Sequence, residues 1–97
     1  MGDMGDTFSV MKDVGQARRN ARDEFYSEII ESLGGRYINC STYRLGDYNV
    51  YTSKGYVLHK SNKGTSTPLQ VFLKENYNYE VDGKELNRRM IEASRNA

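Results

Sequence analysis

The sequence predicts an α+β domain with a long N-terminal helix, a three-stranded antiparallel meander, a short helix and a C-terminal tail helix. Three observations predict it. Apolar residues recur at helical spacing up to Leu33 and stop at Gly34-Gly35. The segment 36–60 is rich in Tyr, Val, Ile and Thr and is cut by Gly-bearing turns. Helical spacing then returns twice after residue 67. At 97 residues the chain is one small domain. Its hydrophobic share is 37%, against the usual ~45–50%, so the core is thin for its size.

Asp6 or Thr7 is placed to cap a helix beginning at Phe8, where Phe8, Met11 and Val14 recur at three. Phe25, Ile29 and Leu33 recur at four, with Tyr26 and Ile30 beside them. Between them GQARRNARDE has almost no apolar face. Two courses stay open: one helix over 8–33 packed only at its ends, or a break near Gly15.

The run Arg36–Arg44 reads as one strand, with Ile38, Cys40 and Thr42 on one face and Tyr37, Asn39, Ser41 and Tyr43 on the other. Cys40 reads as a small buried hydrophobe. Leu45-Gly46-Asp47 turns into a second strand, Tyr48–Thr52, and Ser53-Lys54-Gly55 turns into a third, Tyr56–Lys60. Ser61–Ser66 is a polar loop. Thr67 is an N-cap with Pro68 at the first helical position, and Leu69, Phe72 and Leu73 stripe a short helix ending near Glu75. Asn76–Glu80 is a linker or a fourth edge strand. Asp82 with Glu85 caps the last helix, whose thin stripe is Leu86, Met90 and Ala93. The core is expected over about residues 6–75, with 76–97 as a helical extension.

Single copies of Cys40 and His59 exclude an internal disulfide and a cysteine-based zinc site within one chain. No cofactor or metal motif is present. His59 reads as structural rather than catalytic, because no general-base partner is recognisable by spacing. The opening MGDMGDTFSV lacks a basic, then apolar, export signal, and no apolar stretch is long enough to span a bilayer. With a free thiol this makes the cytoplasm the expected location.

The net charge of +1 conceals a pattern. Residues 1–35 carry −3 and residues 75–97 carry −1, whereas 36–74 carry six cations against Asp47 alone, a net of +5. The basic segment also holds most of the tyrosines. Cations neutralise phosphate and rings stack on unpaired bases, so Arg36, Arg44, Lys54, Lys60, Lys63, Tyr43, Tyr48, Tyr51 and Tyr56 form a candidate anion or nucleic-acid surface. The bland counterpart is that Tyr favours strands and Lys protects sheet edges. Within the segment, KSNKGTST (Lys60–Thr67) precedes a helix N-terminus, which favours an anion. Arg18, Arg19 and Arg22 cluster on the first helix, either as a solvated face beside Asp23, Glu24 and Glu28 or as a partner-docking surface; lacking an apolar stripe, the stretch projects from the core or meets another chain.

Met4-Gly5-Asp6-Thr7-Phe8, Arg18-Arg19-Asn20-Ala21-Arg22, Gly34-Gly35, the Tyr48–Lys60 hairpin, and Lys63-Gly64 leading to Leu69 and Leu73 carry a resemblance. Taken together they resemble short accessory proteins of tailed bacteriophages, which open Met-Gly-Asp-x-Phe and continue through an Arg-rich helix and a small β-meander. Thr52-Ser53-Lys54-Gly55 replaces the aromatic-Pro turn of that group, and the segment after Glu75 is additional. The resemblance implies a non-enzymatic protein that binds and blocks a host protein, such as an anti-defence inhibitor. The order helix–three strands–helix is also similar to double-stranded-RNA-binding domains and to HicA-like toxin ribonucleases. The lysine run of the former and the Gly-Ser-His element of the latter are absent, His59 standing in Leu58-His59-Lys60. Three functions follow as expectations: a host-protein binder, a nucleic-acid-binding module on the basic Tyr-rich sheet, and a His59-dependent ribonuclease. The helices with thin stripes imply a homodimer.

Overall fold

The computed structural model describes residues 3–96, with side chains throughout except those of residues 3–13 and Lys63. The chain forms an N-terminal helix α1 (Asp3–Ser32) and five strands. These are β1 (Arg36–Asn39), β2 (Thr42–Leu45), β3 (Tyr48–Tyr51), β4 (Tyr56–His59) and β5 (Asn62–Pro68). Helices α2 (Leu69–Tyr77) and α3 (Gly83–Asn96) follow. The strands pair in chain order, all antiparallel, in one five-stranded meander.

α1 runs unbroken through Gly15 and begins earlier than the expected start at Phe8, so Asp6 and Thr7 lie inside it. The expected contacts of Phe8 and Met11 fall outside the described side chains. The polar middle of α1 is held by polar contacts rather than an apolar stripe. Its Ala, Arg and Gln residues are good helix formers, and Gln16 Nε2 donates to Asn20 Oδ1 at 2.9 Å. The C-terminus closes as a Schellman motif: Gly34 N–H donates to Glu31 O (3.0 Å) and Gly35 N–H to Ile30 O (2.8 Å), with Gly34 at φ 96°.

The expected three strands are five, for two reasons. The run 36–44 is a hairpin, not one strand. Cys40 (φ 45°) and Ser41 (φ 58°) form a two-residue turn with both residues left-handed, and the register slips around Ile38. Cys40 is therefore exposed at a turn, not buried, and the expected alternation through Ile38, Cys40 and Thr42 is broken. The expected loop 61–66 belongs instead to the Lys60-Ser61 turn and β5. Its Ser and Thr residues complete the hydrogen-bonding edge of β4, with Val57 opposite Thr67. Thr67 is thus a strand residue. Pro68 is the N-cap position of α2, without a side-chain cap, and Leu69 N–H donates to Gly55 O at 2.8 Å. α2 continues to Tyr77 and ends at left-handed Asn78 (φ 51°). α3 starts as expected: Asp82 Oδ1 accepts the Glu85 N–H at 3.1 Å.

α1 and α2 cover one face of the sheet. Phe25, Ile29 and Ile30 of α1 and Leu69, Phe72 and Leu73 of α2 meet Tyr43, Leu45, Val50 and Val57 from the strands. α3 lies along α1 and adds Leu86 to the same core, with Tyr79, Val81 and Met90 packed against it. Arg89 stands over the Phe25 ring, 5.5 Å from its centroid.

Candidate nucleic-acid interface

Directly opposed residues of antiparallel strands share a face, and faces alternate along each strand. Tyr43, Val50 and Val57 are opposed across β2, β3 and β4 and face the helices. Their neighbours therefore face away. One outer row runs Arg36, Arg44, Asn49, Leu58 and Ser66 across the five strands. The next runs Thr42, Tyr51, Tyr56 and Pro68. None of these residues belongs to the core cluster. Arg36 and Ser66 are exposed, and Arg44, Asn49, Tyr51, Tyr56 and Leu58 are half-buried.

The hairpin turn at Cys40-Ser41 sets Arg36 directly opposite Arg44. Like charges so opposed repel, and no carboxylate among the described residues lies in ion-pair reach of either. Arg44 is oriented by its neighbour: its Nε donates to Asn49 Oδ1 at 2.8 Å. Beside the arginines, the Tyr51 and Tyr56 rings lie 5.1 Å apart at 39°. The face thus juxtaposes two unneutralised guanidinium groups with a pair of half-exposed aromatic rings.

The structure divides the expected surface. Arg36, Arg44, Tyr51 and Tyr56 come together on the uncovered face. Lys60 lies at its margin and is paired with Asp47 at 3.2 Å. Lys54 is exposed in the β3–β4 turn. Lys63 lies outside the described side chains. Tyr43 and Tyr48 point to the helices. Tyr43 donates its hydroxyl to Glu31 Oε1 (3.0 Å), and burial, then that carboxylate, push its pKa up. Tyr48 packs on Phe72 with centroids 4.6 Å apart. The loop expected before α2 is strand β5, which runs straight into the helix, and Gly55 O takes the Leu69 N–H.

Two arginines of α1 make contacts with other elements of the chain. Arg18 Nε donates to Ser94 Oγ (2.6 Å), joining α1 to α3, and half-buried Arg22 donates to Ser53 O (2.9 Å), joining α1 to the β3–β4 turn. Arg19 is exposed and bonds Gln16 Oε1 at 3.2 Å. These contacts tie Arg18 to α3 and Arg22 to the β3–β4 turn, while Arg19 stays on the exposed side of α1. His59 packs edge-on to Tyr48, and its Nδ1 takes the Ser61 N–H at 3.1 Å, closing the β4–β5 turn. Among the described residues no group of three or more His, Cys, Asp or Glu is placed to hold a metal ion. No described helix is long and apolar enough to cross a membrane.

Asn49 and Leu58 were not evident as surface residues from composition. The signal for them was the register of the 48–60 hairpin, which sets Tyr51 against Tyr56 and Asn49 against Leu58. Comparison with protein-family models, curated proteins and solved structures finds no match to this chain.

Proposed function

We propose that the protein is a non-enzymatic binding protein that holds a single-stranded nucleic acid across the uncovered face of its sheet. The observation that carries this reading is the juxtaposition of the Arg36–Arg44 pair with the Tyr51–Tyr56 ring pair on one face. A phosphate relieves the repulsion of two opposed guanidinium groups. Half-exposed rings beside it offer a stacking platform that any base can use, worth about 1–3 kcal/mol per base. The charge distribution supports the same orientation, since the basic segment 36–74 supplies the sheet and acidic segments flank it. The reading places the interaction on the sheet rather than on Arg18 and Arg22, which are occupied within the chain.

The test is a salt series with a fluorescent single-stranded 12-mer and with its duplex. Single-strand binding is expected to weaken with salt. Arg36→Gln lowers the log–log slope by about 0.7, the value of one phosphate contact. Tyr51→Ala weakens binding at least about fivefold. Equal affinity for duplex removes the stacking part of the reading. Failure to bind any oligonucleotide, with capture of an acidic protein through the same residues, would replace it with a protein-docking surface.

A further inference from the structure

Resting on that reading, we propose that the Arg44–Asn49 pair selects guanine over adenine in the bound strand. The argument begins with the bond from Arg44 Nε to Asn49 Oδ1 at 2.8 Å. A guanidinium has only donors, so the Asn49 amide must turn its oxygen to Arg44 and present its nitrogen elsewhere. Among the described residues the side-chain hydrogen bond of Asn49 is the one through its oxygen to Arg44. An asparagine reads adenine by using both ends of its amide, the oxygen accepting from N6 and the nitrogen donating to N7. Here one of that oxygen's two lone pairs accepts from Arg44 Nε, so an adenine that uses the other brings its N6 amino group beside a guanidinium that is itself only a donor.

Donors predominate on this part of the face: the Asn49 amide nitrogen, the terminal nitrogens of Arg44, and the guanidinium of Arg36 opposite it. Guanine presents two adjacent acceptors, O6 and N7, to such a cluster. Adenine presents an amino donor where guanine has O6, so donor meets donor. The location fits the stacking platform. Asn49 and Tyr51 are two residues apart on one strand face, about 6.8 Å along the strand, so a purine on the Tyr51–Tyr56 pair brings its edge to the donors.

The experiment compares two thymidine 12-mers by fluorescence anisotropy, one with two central guanines and one with two central adenines. The guanine strand is expected to bind tighter by about five- to tenfold or more. In Asn49→Leu the ratio falls towards one while circular dichroism stays that of the parent. Equal or reversed affinities, with salt-dependent binding of both strands, overturn this inference and leave the nucleic-acid reading standing. A ratio that survives Asn49→Leu overturns it as well. Binding of neither strand overturns both together.

Discussion

A β-carbon at Gly35 would overlap the Ile30 side chain and stand 2.9 Å from the Ile30 carbonyl oxygen, whereas one at Gly34 would meet nothing within 4 Å. The two glycines that end α1 are therefore required for different reasons. Gly34 supplies a φ of 96°, and Gly35 supplies room for the chain to fold back on the helix. Gly34→Ala is expected to cost about 1 kcal/mol. Gly35→Ala costs about 1–3 kcal/mol, and more than Gly34→Ala, because Ile30 is fully buried and cannot move aside. Urea midpoints of the two variants check the order. At Cys40 and Ser41 the opposite choice was made, and two residues with side chains occupy left-handed backbone. The turn holds because α1 clamps it. Ser41 Oγ donates to Asp23 Oδ2 at 3.1 Å, Thr52 donates to the other Asp23 oxygen, and Thr52 N–H donates to Ser41 O at 3.0 Å. A sequence reading looks for Gly or Asn at such a turn. Cys-Ser offers neither, which is why the strand appeared continuous.

At the scale of elements, α3 combines a weakly apolar stripe with a dense charge network. Arg88 bonds both Glu85 (2.8 Å) and Glu92 (2.7 Å), and Arg89 bonds Glu85 (2.8 Å). Hydrogen bonds from Arg88 and then Arg89 hold the Glu85 carboxyl down at about 2, against an ordinary value of 4.5. A carboxyl lowered in the folded state stabilises it above the unfolded value and loses that contribution as pH falls through the folded one. The contribution of Glu85 is therefore present in full above about pH 4.5 and is lost progressively towards pH 2. A carboxyl-carbon NMR titration should place Glu85 near 2, and Glu85→Gln should flatten the acid dependence of stability over that window. A midpoint near 4.5 would show that the network does not form in solution. The element boundaries that sequence rendered well are those with local punctuation: Gly34-Gly35 after α1, Gly55 in the β3–β4 turn, and Asp82 before α3. β5 was not legible, because a Ser/Thr/Gly run has no strand signature until β4 offers it an edge.

For the whole molecule, the decisive contact is α3 on α1. Residues 76–97 read from sequence as an extension, yet Leu86 is 7% exposed within the cluster that holds Phe72 and Ile30. Arg18–Ser94 and Arg89 over Phe25 tie the two helices further along. Leu86→Ala is expected to cost about 2–5 kcal/mol. It should do so in a single unfolding transition that fluorescence and circular dichroism report together. A chain ending at Asn78 that unfolds at the midpoint of the parent would contradict this unity. The candidate surface follows the same division. Its residue types, Arg and Tyr in segment 36–74, were legible as a net charge of +5 with interleaved rings. Which of them share a face was not. Tyr43 and Tyr48 turn inward while Arg36, Arg44, Tyr51 and Tyr56 turn outward, a matter of strand parity set by the β2–β3 and β3–β4 registers and by which face the helices cover, with the Cys40-Ser41 turn placing Arg36.

By itself, then, the sequence determined the α+β class, the helical N-terminal segment ending at Gly34-Gly35, the hairpins around Gly46 and Gly55, and the basic character of the sheet. These rest on local periodicity, glycine conformation and composition, which act over a few residues. Only the tertiary structure decided the strand count, the inward or outward facing of each tyrosine, the pairing of Arg36 with Arg44, and the docking of α3. Each of these depends on which partner completes a hydrogen-bonding edge or covers an apolar stripe. A strand such as β5 and a stripe as thin as that of α3 acquire their meaning from the neighbour they bury.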